Sequence, residues 1–197
     1  MRNALSPLRP PVLLAITYAP VAARARLTWL MALDQRFADV LSRTTEPLIA
    51  QLRLSWWRDA LNSEPVNRPK GEPLLADLND FKCNEDLIFA GLRLVDAFEV
   101  LATNYDLREQ KTAQAQRILA ICGAYAQWVG GAESQRGHIE QIASWWASAD
   151  SKLPKSWTRI LRPLSIIALA EKLERRKDTA SSVNQGLRLN WHALTGR

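Results

Sequence analysis

The sequence predicts an all-α, single-domain helical bundle, on three observations. Apolar residues recur at three- and four-residue spacing through most of the chain, and no stretch alternates as a half-buried strand would. Prolines and glycines fall mainly between the periodic stretches, where they act as stops. Finally, 197 residues with 47% hydrophobic content and a mean hydropathy of −0.19 fit one soluble domain with its own core.

Residues 1–10 read as a loose arm, because Pro7, Pro10 and Pro11 discourage a regular start. Val12–Ala19 suits a short helix that stops before Pro20. From Pro20 a long helix runs to about Ser42, with Leu30, Leu33, Phe37 and Val40 on its inner stripe. Asp39 stands between Arg36 and Arg43 at helical spacing, which predicts a surface ion pair. In the next helix, ending near Asn62, Thr45 can cap the start and Pro47 sits in the first turn. Leu48, Leu52, Trp56 and Ala60 form one stripe there, which Ile49 and Trp57 widen. Adjacent indoles point about 100° apart on a helix, so this rod is expected to touch several neighbours near the middle of the bundle. Arg53, one turn before Trp57, is placed to lay its guanidinium over that indole.

Ser63–Gly71 is the clearest loop. Helical patterns follow at Pro73–Phe81 and at about Asn84–Thr103, the latter aligning Leu87, Gly91, Leu94 and Phe98. Asp106–Val129 aligns Ile118, Ile121, Tyr125 and Trp128, and Gly130-Gly131 stops it. Glu133–Asp150 carries the second indole pair, Trp145-Trp146. Trp157–Lys177 is apolar in its middle, and Pro163 should kink it or divide it. Residues 178–184 read as a polar linker before a last short, basic helix, Gln185–Leu194.

The net charge of +6 is unevenly spread: +4 over residues 1–61, −5 over 62–150 and +7 over 151–197. Basic ends around an acidic middle suit an anionic membrane surface or a pyrophosphate ligand, with solvated helix faces as the plain alternative. They do not suit a nucleic-acid track, since no recognition helix or interleaved aromatic–basic surface accompanies them. No segment is long and apolar enough to span a bilayer. The acid-free N-terminus, with Arg2, Arg9, Arg24 and Arg26, looks like a targeting peptide, but its apolar run is short and reads as part of the fold. Cys83 and Cys122 form no ligand cluster and suggest a reducing, cytoplasmic setting. With only His138 and His192, a histidine-based metal site is not expected.

Leu14–Pro20, Arg24, the long helix after it and the run Arg53-Leu54-Ser55-Trp56-Trp57-Arg58-Asp59-Ala60-Leu61 resemble the squalene/phytoene synthase family. The similarity is greatest to its divergent bacterial branch, related to mitochondrial complex I assembly factors. It covers residues 14–61 well and the remainder in pattern. The resemblance implies a shortened isoprenoid-synthase-like bundle. In active members two Asp-x-x-x-Asp motifs on facing helices hold Mg²⁺ and a prenyl diphosphate. Counted from Arg24, however, the first motif's aspartates fall at Ala38 and Ser42, and no second motif follows. Asp34 and Asp39, five apart, point about 140° apart on a helix and make a poor clamp.

These residues imply a synthase-like protein without its metal motifs and without a cofactor. It would be a non-catalytic binder of an isoprenoid or lipid, or of a protein partner in respiratory-complex assembly. It would sit in the cytoplasm, with peripheral contact to the inner face of an anionic membrane. The alternative is an active prenyltransferase with atypical Mg²⁺ ligands and a prenyl diphosphate substrate. Candidate cavity or ligand contacts are Arg24, Asp34, Asp39, Arg53, Trp57 and Arg58; no catalytic residue is assigned. Trp56-Trp57 with Arg53 and Arg58 suit either the lining of a prenyl or lipid groove or a packed core helix. For Trp145-Trp146, core packing stands beside a membrane or partner anchor.

Overall fold

Two prolines in its first turn start helix α1 (Pro10–Tyr18), where their missing N–H groups cost nothing. It therefore begins earlier than the apolar pattern suggests. The structure is a computed structural model that describes residues 8–103, 106–130, 136–148 and 159–175. Most of the expected arm, the 178–184 linker and the Gln185–Leu194 helix lie outside these residues. The arm's end is not loose: Leu8 is buried, and Arg9 reaches helix α8 (Arg162–Arg175).

Helix α2 (Val21–Arg43) starts behind Pro20 and buries Leu30, Leu33, Phe37 and Val40, as its spacing predicts. It is the centre of the bundle. Helices α3 (Pro47–Asn62), α5 (Glu85–Thr103), α6 (Leu107–Trp128), α7 (Arg136–Ala147) and α8 follow one another in an arc, each packed on the next. Helix α1 closes the arc between α8 and α2. The short α4 (Pro73–Asp80) packs on α2, where the buried Trp29 indole N–H donates to the Leu74 carbonyl at 2.8 Å. The described residues are helices, short 3₁₀ turns and connecting loops, without a strand.

Gly91 lets α5 approach its neighbours closely. A Cβ there would lie 3.1 Å from both Leu33 Cδ2 of α2 and Leu61 Cδ1 of α3. Gly130, at φ +69°, ends α6 in the left-handed conformation that glycine adopts without strain. Pro163 falls in the first turn of α8, so it divides the expected long helix rather than kinking it.

Helix α3 corrects the sequence reading. Leu48, Leu52 and Trp56 are 65%, 63% and 42% exposed, whereas Ala50, Leu54, Trp57 and Leu61 face the core. The helix packs on α2 and α5 at the edge of the arc, not in its middle. Two features fix its rotation. Small Ala50 and Ala60 permit close approach on the buried side. Arg58 holds α5 through Asp96 and Glu99, both at 2.7 Å. Arg53 is correspondingly turned outward; its guanidinium donates to Thr44 Oγ1 at 3.3 Å instead of lying over Trp57.

Among the described residues no helix is long and apolar enough to cross a membrane.

Candidate functional site

The last two turns of α2 form one wall of a cleft of about 840 Å³, which α5, α6 and α8 complete. On α2 the residues Asp34, Ala38 and Ser42 recur every fourth position and so share one stripe. All three line the cleft, with Gln35, Asp39 and Leu41 beside them. Phe98 and Leu101 of α5 add apolar wall. Gln114 and Arg117 come from α6, Glu171 and Glu174 from α8, and Arg9 from the segment before α1.

Arg117 organises the floor. Its guanidinium is buried and donates to both oxygens of Asp34, each at 2.5 Å, and to Glu171 Oε1 at 2.8 Å. Its cationic carbon also lies 5.8 Å from the Phe98 ring centroid. Charge-assisted pairs of this bidentate kind are strong and directional. The Trp146 indole N–H donates to Glu171 Oε2 at 2.8 Å, so α6, α7, α8 and α2 meet in one network. Arg9 closes the outer side, 3.5 Å from Glu171 and 2.6 Å from Glu174.

The network changes the acidity of Glu171 and Arg117. Burial by itself would lift the Glu171 carboxyl, but the charge and hydrogen bonds of Arg117, the Trp146 N–H and Arg9 outweigh it. They hold the pKa at about 2, below the usual 4.5. Burial likewise opposes the charge on Arg117, yet Asp34 and Glu171 raise it well above the ordinary arginine value. In the acid range the unfolded chain therefore binds a proton at Glu171 that the folded chain refuses. Stability from this group is present above about pH 4.5 and is lost as pH falls toward about 2. Acid titration of the melting temperature should accordingly be shallower for Glu171→Gln than for wild type in that window. Equal slopes would assign the acid loss to other carboxyls.

Only two of the six residues singled out from the sequence belong to this cleft. Asp34 forms its floor, and Asp39 its half-buried rim. Asp39 does not make the predicted surface pair, because Arg36 turns to Glu72 at 3.2 Å. Arg24 instead caps α1, donating to the carbonyls of Ala19 and Thr17 at 2.8 and 3.0 Å. Arg53 is a surface residue. Trp57 is a core side chain, edge-on to Phe37 at 5.7 Å, and Arg58 is committed to Asp96 and Glu99. Trp145 and Trp146 are buried, so the anchor reading gives way to core packing. Among the described residues no group of three or more His, Cys, Asp or Glu side chains could hold a metal ion.

Three residues that matter here were not anticipated: Arg9, Arg117 and Glu171. Arg117 had a signal, since it stands four before Ile121 and eight before Tyr125 on the inward stripe of α6. Glu171 stands four after Ile167 in the same manner. A charge on an apolar stripe is costly unless it is paired. Arg9 lay in the proline-rich segment read as loose.

Compared with known proteins, the chain matches no family model, no curated protein and no solved structure.

Proposed function

We propose that the chain is a catalytically silent member of the isoprenoid-synthase type of bundle, which binds an isoprenoid or similar apolar ligand in the cleft beside α2. The observation that supports this most is how the cleft's charges are already used. The resemblance places the motif aspartates at Ala38 and Ser42, and these two side chains line the cleft. Asp34, one turn before Ala38, has both oxygens on Arg117, and Glu171 is shared by Arg117, Arg9 and Trp146. Holding Mg²⁺ and a diphosphate requires several uncommitted carboxylate oxygens and cations free for phosphate. Both arginines here are already paired with carboxylates. Prenyl condensation, the alternative, would have to dismantle the floor of its own site.

The partner-binding form of this reading, as in an assembly factor, rests on the exposed Leu48, Leu52 and Trp56 of α3. Exposed apolar side chains recurring every fourth position share one helix face, and a contiguous apolar face is a common mark of an interaction site. The positive surplus of residues 151–197 supports a location at the inner face of an anionic membrane.

The test has two arms. Purified protein incubated with Mg²⁺ and farnesyl or geranylgeranyl diphosphate should release no pyrophosphate above the blank. A tritiated farnesol probe should bind, and Ala38→Trp, which fills the cleft from an exposed position, should abolish that binding without lowering the melting temperature. Squalene- or phytoene-type product would overturn the silent reading; farnesol binding unchanged by Ala38→Trp would overturn the cleft.

A further inference from the structure

Resting on the cleft-binding reading, we infer that the cleft selects an amphiphile with an apolar body and a positively charged end, an alkylammonium group held by Asp39. Four carboxylates line the cleft, Asp34, Asp39, Glu171 and Glu174, against two guanidiniums, Arg9 and Arg117. Three of the carboxylates cover the two cations. Arg117 is taken by Asp34 and Glu171, and Arg9 by Glu171 and Glu174. Arg117 is thus buried beneath its carboxylates, and the part-exposed Arg9 already carries two. Among the described residues nothing pairs with the carboxylate of Asp39, since Arg36 is held by Glu72.

The free carboxylate therefore sits at the rim of a wall made by Ala38, Leu41, Phe98 and Leu101. An aliphatic chain lying along that wall removes apolar surface from water. Its cationic end at Asp39 would form a charge-assisted hydrogen bond and offset the cleft's negative surplus. A phosphate or diphosphate end would meet that surplus with like charge. The ligand class is thus the opposite, in charge, of a prenyl diphosphate.

Dodecylamine, dodecanol and dodecyl phosphate share one chain length and differ in end-group charge, which isolates the term. By titration calorimetry at neutral pH, below micelle formation, dodecylamine should bind about tenfold or more tighter than dodecanol. Dodecyl phosphate should be the weakest of the three. Asp39→Asn should bring dodecylamine down to the level of dodecanol and leave dodecanol unchanged. Ala38→Trp should remove all three, which separates the cleft from adsorption elsewhere. A phosphate that binds as tightly as the amine, or an amine preference that survives Asp39→Asn, overturns this inference while the apolar-cleft reading stands. If none of the three binds, both fall.

Discussion

Replacing Arg117 by methionine should cost about 3–5 kcal/mol of stability, the largest loss expected from any single change of charge in this molecule. The substitution roughly preserves side-chain length but strips the buried Asp34 of its counter-charge and leaves Glu171 only Arg9, at 3.5 Å. Either carboxyl would then have to take up a proton or draw in water. The loss belongs to the unpaired charges and not to the salt bridge as such, and the two causes can be separated. The combined variant Asp34→Leu, Arg117→Met, Glu171→Gln removes all three charges and keeps an acceptor for the Trp146 indole N–H. It should regain most of the stability, because well-packed uncharged replacements of buried ionic groups are often neutral. Urea denaturation midpoints at constant slope measure both effects. A single variant close to wild type would mean that solvent reaches the floor of the cleft.

The second large effect contrasts two adjacent tryptophans. Trp57→Ala should cost about 3–5 kcal/mol, since a buried indole packed edge-on against Phe37 leaves a cavity that the neighbours fill only in part. Trp56→Ala should cost about 1 kcal/mol or less, because that residue is 42% exposed and its ring stands edge-on to Trp57, at 5.2 Å. Thermal unfolding of the two variants decides it. The reverse order would turn α3 around, so that Leu48 and Leu52 faced the core.

Much of the bundle could be read from local pattern. Leu30, Leu33 and Phe37 on α2, and Leu87, Leu94 and Phe98 on α5, lie on single unambiguous stripes and are buried as expected. Helix α3 could not be read in this way because it carries two apolar stripes. One runs through Leu48, Leu52 and Trp56, the other through Ala50, Leu54, Trp57 and Leu61. Beside the small Ala50 and Ala60, the choice rests on Asp96 and Glu99, which hold Arg58 from 38 and 41 residues away. No window on α3 contains that information. The site was half visible for the same reason. Asp34 and Asp39 stood out as acids near the motif positions, but what neutralises Asp34 is Arg117, 83 residues downstream. Arg24 stood out beside Pro20, yet its use is local, satisfying the last carbonyls of α1.

Helix α1 packs against α8, and Arg9 bonds Glu174 across 165 residues of chain. On the ribosome, α1 emerges long before its partner is made. Its inward residues Val12 and Ala15 therefore lack their α8 cover until translation has passed Arg175. The same holds for Arg117, which meets Asp34 early and Glu171 only at that late stage. Contacts of such sequence separation slow folding, because a long loop must close before they repay it. Until that point the nascent chain carries an uncovered apolar face on α1 and an incomplete charge cluster, surfaces of the kind that make partly made chains prone to aggregate.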